Sequence, residues 1–136
     1  MPVDLNDEID IKHHDEIVKE GTLGLVKSNG TVCRFVDFAP GCKGLMHRTQ
    51  SLDYGVVLEG NMVMELDDGS NTPMTRGDVA VQRATMHAWR NPSNTEWARM
   101  MFVLQDCRPV VVEGQRFREE LGHVADIFPE SGNDAE

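Results

Sequence analysis

The sequence predicts an all-β sandwich or barrel. From about Gly21 onward, short β-rich runs alternate with turn signals, no internal repeat is present, and only one segment has helical spacing. Several short strands at regular spacing, punctuated by Gly and Asp-Gly turns, are the mark of that class. The 136 residues are the size of one compact domain, long enough to bury a core without disulfides or a structural metal.

The chain opens on an acidic segment, residues 1–20, that reads as solvated and lacks the apolar stretch of a signal peptide. Residues 21–112 carry the strands. The runs "TLGLVKSNGTVCRFVDFAPG", "YGVVLEGNMVMELDDG", "GDVAVQRATMHAWRN" and "WARMMFVLQDCRPVVVEG" are separated by turn signals such as Ser28-Asn29-Gly30, Pro40-Gly41 and Asp67-Asp68-Gly69. "VVLEGNMVMEL" reads as a hairpin, with Gly60 and Asn61 supplying the positive φ of a tight turn. Alternation in "NMVMELD" puts Met62, Met64 and Leu66 on one face. Residues 113–136 hold the helical segment, "EGQRFREELGHV", in which Phe117 and Leu121 lie one turn apart, followed by the acidic tail "PESGNDAE", read as disordered.

Composition excludes several roles. Lysine and arginine number 13 against 23 acidic residues, a formal charge of −10, which argues against a nucleic-acid partner. No apolar run is long enough to span a membrane. The three cysteines, Cys33, Cys42 and Cys107, are widely spaced and form no CxxC, so reduced thiols in a cytoplasmic protein are expected.

The histidines divide into two groups. His13 and His14 lie in the polar N-terminal stretch, and His123 ends the helical segment. His47 and His87 each follow a glycine turn and sit among apolar neighbours, where an imidazole must find a hydrogen bond, a metal or a ligand. Thr49 alternates onto the face of His47, and Asp53 follows after three residues.

At these positions the chain resembles the cupins. Their first motif runs glycine, five residues, His-x-His, three or four residues, glutamate, six residues, glycine; Gly41, His47, Asp53 and Gly60 stand at those places. Their second motif is answered by Gly77, His87 and Asn91. "HRTQSLDYGVVLEG", "GDVAVQR" and "HAW" look like a subgroup of small cupins from small-molecule and secondary-metabolite pathways. The resemblance spans about residues 31–104 and implies a double-stranded β-helix, a jelly-roll barrel, here with a short C-terminal helix. It also implies a first shell of three histidines and a glutamate. This chain departs from it: Thr49 replaces the second histidine, Asp53 the glutamate, and Gln82 to Thr85 the Pro-x-Gly turn. His47, Asp53 and His87 remain as a facial set for one divalent metal (zinc, iron, manganese or nickel). Equally, they are acid/base groups in a dry cavity with no metal.

Further site candidates are Gln82, to hold a substrate oxygen or a metal-bound water, and Thr49, Trp89, Met64 and Phe102 as pocket walls. Arg48, Arg83 and Arg90 read as surface residues. The expected function is a lyase or isomerase acting on a small, largely apolar metabolite by dehydration, decarboxylation or proton transfer beside a carbonyl. An iron-dependent oxygenase at the same residues and a non-catalytic ligand-binding module are the alternatives. The resemblance further implies a homodimer.

Overall fold

A computed structural model describes residues 3–135; Met1, Pro2 and Glu136, the outermost residues of the two acidic segments, lie outside it. The first segment contains a helix, α1 (Ile9–Glu20), with no buried residue, which ends where Gly21 turns left-handed (φ +66°) and donates its N–H to Ile17. Nine strands follow: β1 (Thr31–Phe38), β2 (Ser51–Glu59), β3 (Met62–Leu66), β4 (Asn71–Met74), β5 (Val79–Arg83), β6 (His87–Arg90), β7 (Ala98–Asp106), β8 (Val110–Val112) and β9 (Gln115–Phe117).

Four strands pair antiparallel in the order β1-β7-β2-β5 and three in the order β4-β3-β6. The two sheets face each other across one core. Val57, Ala80, Ala98 and Met100 from the first meet Met62, Met74 and Trp89 from the second. Met62, Met100 and Val57 have no exposed surface, each worth about 2 kcal/mol of burial. This is the jelly-roll barrel that the strand spacing and the resemblance lead one to expect.

Two local expectations are corrected. "VVLEGNMVMEL" is not a hairpin. β2 pairs with β7 and β5, β3 pairs with β4 and β6, and the chain crosses between the sheets at Gly60 (φ +75°). A side chain at Gly60 would press on the Trp97 carbonyl at 2.8 Å, so this crossover needs glycine for space as well as for φ. The helical segment at residues 113–124 is also displaced. Glu113 and Gly114, with φ of +50° and +77°, make the tight turn of the β8–β9 hairpin, and only Gly122–Asp126 coils, as one 3-10 turn.

The described part of the acidic tail folds back on the barrel. Ser131 Oγ accepts the Val26 N–H at 3.1 Å, and Asn133 Nδ2 donates to the Gln50 carbonyl at 2.9 Å and to Asp106 Oδ1 at 2.7 Å. Leu121 and Val124 pack with Leu25, Val26 and Leu104 in a second apolar cluster, flanked by Phe102 and Phe128. Arg48, expected at the surface, instead fastens this region. Its Nε donates to the Ala84 carbonyl at 3.1 Å and its guanidinium covers the Phe117 ring at 4.6 Å. Arg90 likewise pairs with Glu65 at 2.6 Å, while Arg83 is exposed. All three cysteines are free. Among the described residues no helix is long and apolar enough to cross a membrane.

Candidate functional site

The two histidines separated by 40 positions are brought together by the backbone. His47 donates its N–H to the His87 carbonyl and receives the His87 N–H in return, both at 3.0 Å. Residues opposed in this way across antiparallel chains project to the same side of the sheet. The two rings accordingly lie with centroids 4.5 Å apart, tilted by 52°. Each Nδ1 is 2.8 Å from a carbonyl two residues back, His47 from Leu45 and His87 from Thr85. A carbonyl only accepts, so Nδ1 carries the hydrogen in both rings and each neutral imidazole keeps its lone pair on Nε2.

Asp53 comes from the inner face of β2, where Ser51, Asp53, Gly55 and Val57 are buried in alternation. Its carboxylate Oδ1 accepts the Ser51 hydroxyl at 2.5 Å, and Ser51 Oγ is 2.8 Å from Thr49 Oγ1. Ser51 has one hydroxyl hydrogen and gives it to Asp53, so Thr49 donates to Ser51.

These groups border a cavity of about 300 Å³ whose walls are mostly apolar. His47, Asp53, His87, Trp89, Phe102 and Arg34 line it, and Val124, Ile127 and Phe128 of the C-terminal segment roof it. Trp89 meets His87 edge-on at 6.1 Å and Phe102 at 5.5 Å. Gly55 gives these rings their room: a Cβ there would lie 3.2 Å from both Trp89 and Phe102.

Burial sets the protonation of the site. It pushes the His87 imidazole down to about 4, helped by repulsion from His47, against a smaller opposing effect of the Thr85 carbonyl. Burial also lowers His47, opposed by the Leu45 carbonyl and Glu119. The Asp53 carboxyl is pushed up to about 6 by burial, in spite of the stabilising hydroxyls of Ser51 and Thr49. At neutral pH the site therefore offers two uncharged imidazole acceptors and a carboxyl that gains its proton unusually early as pH falls.

Of the residues singled out in the sequence, His47, Asp53, His87, Trp89 and Phe102 share the cavity. Thr49, Gln82 and Met64 do not line it. Thr49 stands behind Asp53 through Ser51. Gln82 is buried and binds Thr85 and the Met64 sulfur, and Met64 packs against the main core. The two Nε2 atoms suit a divalent metal, but among the described residues no group of three His, Cys, Asp or Glu side chains converges to hold one. Of the facial set expected from His47, Asp53 and His87, Asp53 borders the same cavity but has Oδ1 taken by the Ser51 hydroxyl, and its carboxylate does not converge with the two imidazoles.

Sequence reasoning missed Arg34 and the roof. Alternation along "TVCRFVDF" places Val32, Arg34, Val36 and Phe38 on one face, a signal that was available for Arg34. Nothing local marks the roof, which depends on contacts more than a hundred positions apart.

A family model described as "Cupin domain" matches residues 34–104. The chain is 43% identical over 125 residues to "Oryzines biosynthesis cluster protein J" of Aspergillus oryzae, covering 91% of this chain and 69% of that protein. It is 45% identical over 120 residues to "Cupin-domain-containing oxidoreductase virC" of Hypocrea virens, covering 87% of this chain and 60% of that protein's length. A crystal structure of a conserved protein with a double-stranded beta-helix domain from Klebsiella pneumoniae superposes with a TM-score of 0.53 at 20% identity, over 60% of this chain and 72% of that one.

Proposed function

The chain belongs to the cupin family, and on that premise we propose that it is a small-molecule enzyme of lyase or isomerase type. Its guest is a largely apolar carbonyl compound held in the 300 Å³ cavity. The observation that carries this reading is the pair of uncharged imidazoles 4.5 Å apart, His87 buried and His47 half-buried, each fixed by a carbonyl so that Nε2 is the free base.

The reaction is a proton transfer beside the carbonyl. Nε2 of His87 takes the proton, the C–H electron pair becomes a C=C bond as the carbonyl π pair moves onto its oxygen, and the Asp53 carboxyl, when protonated, donates a hydrogen bond to that oxygen. Returning the proton to another carbon completes an isomerisation; when the enolate instead expels a β-hydroxyl group, that group takes the proton from the imidazolium and leaves as water, which completes a dehydration. The apolar walls exclude the water that would compete for either proton. Relatives named after biosynthesis clusters support a secondary metabolite as substrate.

Incubating the protein in D2O with a panel of apolar β-diketones and β-keto acids tests this. Proton NMR should show deuterium entering the carbon beside the carbonyl, undiminished by a chelator and reduced about 100-fold or more in His87→Ala. Exchange that persists in His87→Ala, or no exchange with any compound, overturns the reading. The relatives named oxidoreductases support a second reading, an oxidation of the same guest. Dioxygen uptake separates the two, since proton transfer consumes none.

The chain is further proposed to work as a homodimer through the outer face of the four-stranded sheet. Two apolar rows cross that face in register: Phe35–Met101–Val56–Val79 and Cys33–Val103–Tyr54–Val81. With strands spaced by about 4.8 Å, each row of four is about 14 Å from first strand to last. Glu59, beside the Asp37–Arg99 ion pair, borders one end of the patch, and Arg83 borders the other. A two-fold axis that reverses strand direction sets each Arg83 against the Glu59 of a second copy, so the surface is complementary to itself.

A further inference from the structure

One cationic side chain in the cavity has no anionic companion among the described residues. Arg34 lies on the inner face of β1, opposite Phe102 in register, and is half-buried at the cavity wall. Its Nη2 donates to the Gly24 carbonyl at 3.0 Å and its guanidinium rests on the Phe128 ring at 4.6 Å. Neither contact supplies a negative charge. The other acidic groups of the cavity are engaged elsewhere: Asp37 is held by Arg99 through two hydrogen bonds of 2.6 and 2.9 Å, and Asp53 by Ser51. A guanidinium has five N–H donors in a fixed fork, and the one contact here uses one of them.

We propose that Arg34 binds a carboxylate on the guest, and that the cavity therefore takes amphiphilic acids: a carboxylate at one end and an apolar body at the other. This rests on the reading of the cavity as the substrate site. Arg34 is level with Phe102 on β7 and Gly55 on β2, and Asp53 lies two residues along β2, so two strand spacings and one two-residue repeat put them about 12 Å apart. A carboxylate forked on Arg34 lays the body of the guest across Phe102 and Trp89 and brings its far end to Asp53 and the two histidines. The charge that fixes the guest is thus kept away from the groups that move protons. Bidentate pairing also explains why arginine stands here: a lysine would supply charge without orientation.

Calorimetric titration of the full chain with 4-butylbenzoate and its neutral counterpart 4-butylbenzamide tests this. The two probes share size and apolar surface and differ in the anionic head. The unaltered protein should bind the carboxylate at least about tenfold more tightly than the amide. In Arg34→Gln that ratio should fall to about one while the amide affinity stays unchanged, and Arg34→Lys should keep only part of the preference. A purely structural Arg34 would change thermal stability in both variants and leave the ratio of the two affinities where it was, which overturns the proposal. So does equal affinity for the two probes in the unaltered protein, or binding of neither. The deuterium-exchange reaction provides the separation from the catalytic reading. A carboxylate preference that survives when exchange is absent removes the role given to the histidines and keeps that of Arg34. Exchange without the preference does the reverse.

Discussion

His87 and Asp53 carry opposite pH signatures, because burial disfavours the charged form of each. Asp53 titrates at about 6 in the fold and near 3.8 when exposed, so it favours the folded state below about pH 4 and loses that contribution as pH rises through 6. His87 titrates at about 4 in the fold and near 6.5 when exposed, so its contribution is full above 6.5 and disappears as pH falls through 4. Between those limits the two slopes oppose each other. Relative to the unaltered protein, Asp53→Asn should make the melting temperature rise with pH from 4 to 6.5, and His87→Asn should make it fall. Calorimetric melts at half-unit steps check the two signs. The sequence carried this site at the level of residue identity: His47, Asp53 and His87 stand at motif spacings and all border one cavity. It did not carry orientation. Thr49 and Gln82 satisfy the same alternation, yet hydrogen bonds to Ser51 and Thr85 hold them out of the cavity. Both bonds are made to hydroxyls two and three residues along the chain, and strand alternation gives the face of a residue but not the partner its side chain takes.

The strands were legible and the segments that cover them were not. β1 to β7 announce themselves through alternation and glycine turns, and their inner faces follow from parity alone. The segment after Val112 carries two competing patterns. Phe117 and Leu121 have helical spacing, but Glu113-Gly114 sits between β-branched and alternating runs, and the positive φ at both positions makes the turn decisive. The apparent helix yields because the hairpin places Phe117 beneath Arg48 and frees Leu121 and Val124 for the second cluster. The roof depends on Gly24, where a Cβ would come within 2.9 Å of the Pro129 carbonyl and the Ser131 Cα. Gly24→Ala should cost about 1–3 kcal/mol by forcing those backbones apart. Urea denaturation measures the loss, and hydrogen exchange should show the opening concentrated at the amides of Val124, Ile127 and Phe128, with the strands unaffected.

At the scale of the whole molecule, the two faces of the four-stranded sheet have different tasks. The inner face supplies the cavity and the outer face the two apolar rows. Contiguous apolar area of this kind on a chain of charge −10 is where association is expected. Analytical ultracentrifugation should find a dimer, and Val81→Glu, which places a charge at the exposed β5 end of a row, should return it to the monomer with the fold intact. A monomeric unaltered protein would remove that role from the patch. The negative surface also slows the approach of an acidic guest, so association with 4-butylbenzoate should quicken as salt is raised from low ionic strength, while the amide is indifferent.

The bond between Ser131 and Val26 joins stretches 105 positions apart, and Gly24 touches the same turn of chain. Closing so long a loop comes late in folding, because the entropy it forfeits is recovered only once the sheets are there to receive it. A molecule that settles inside before closure shares its binding energy with that last step, so occupancy and completion of the fold reinforce each other.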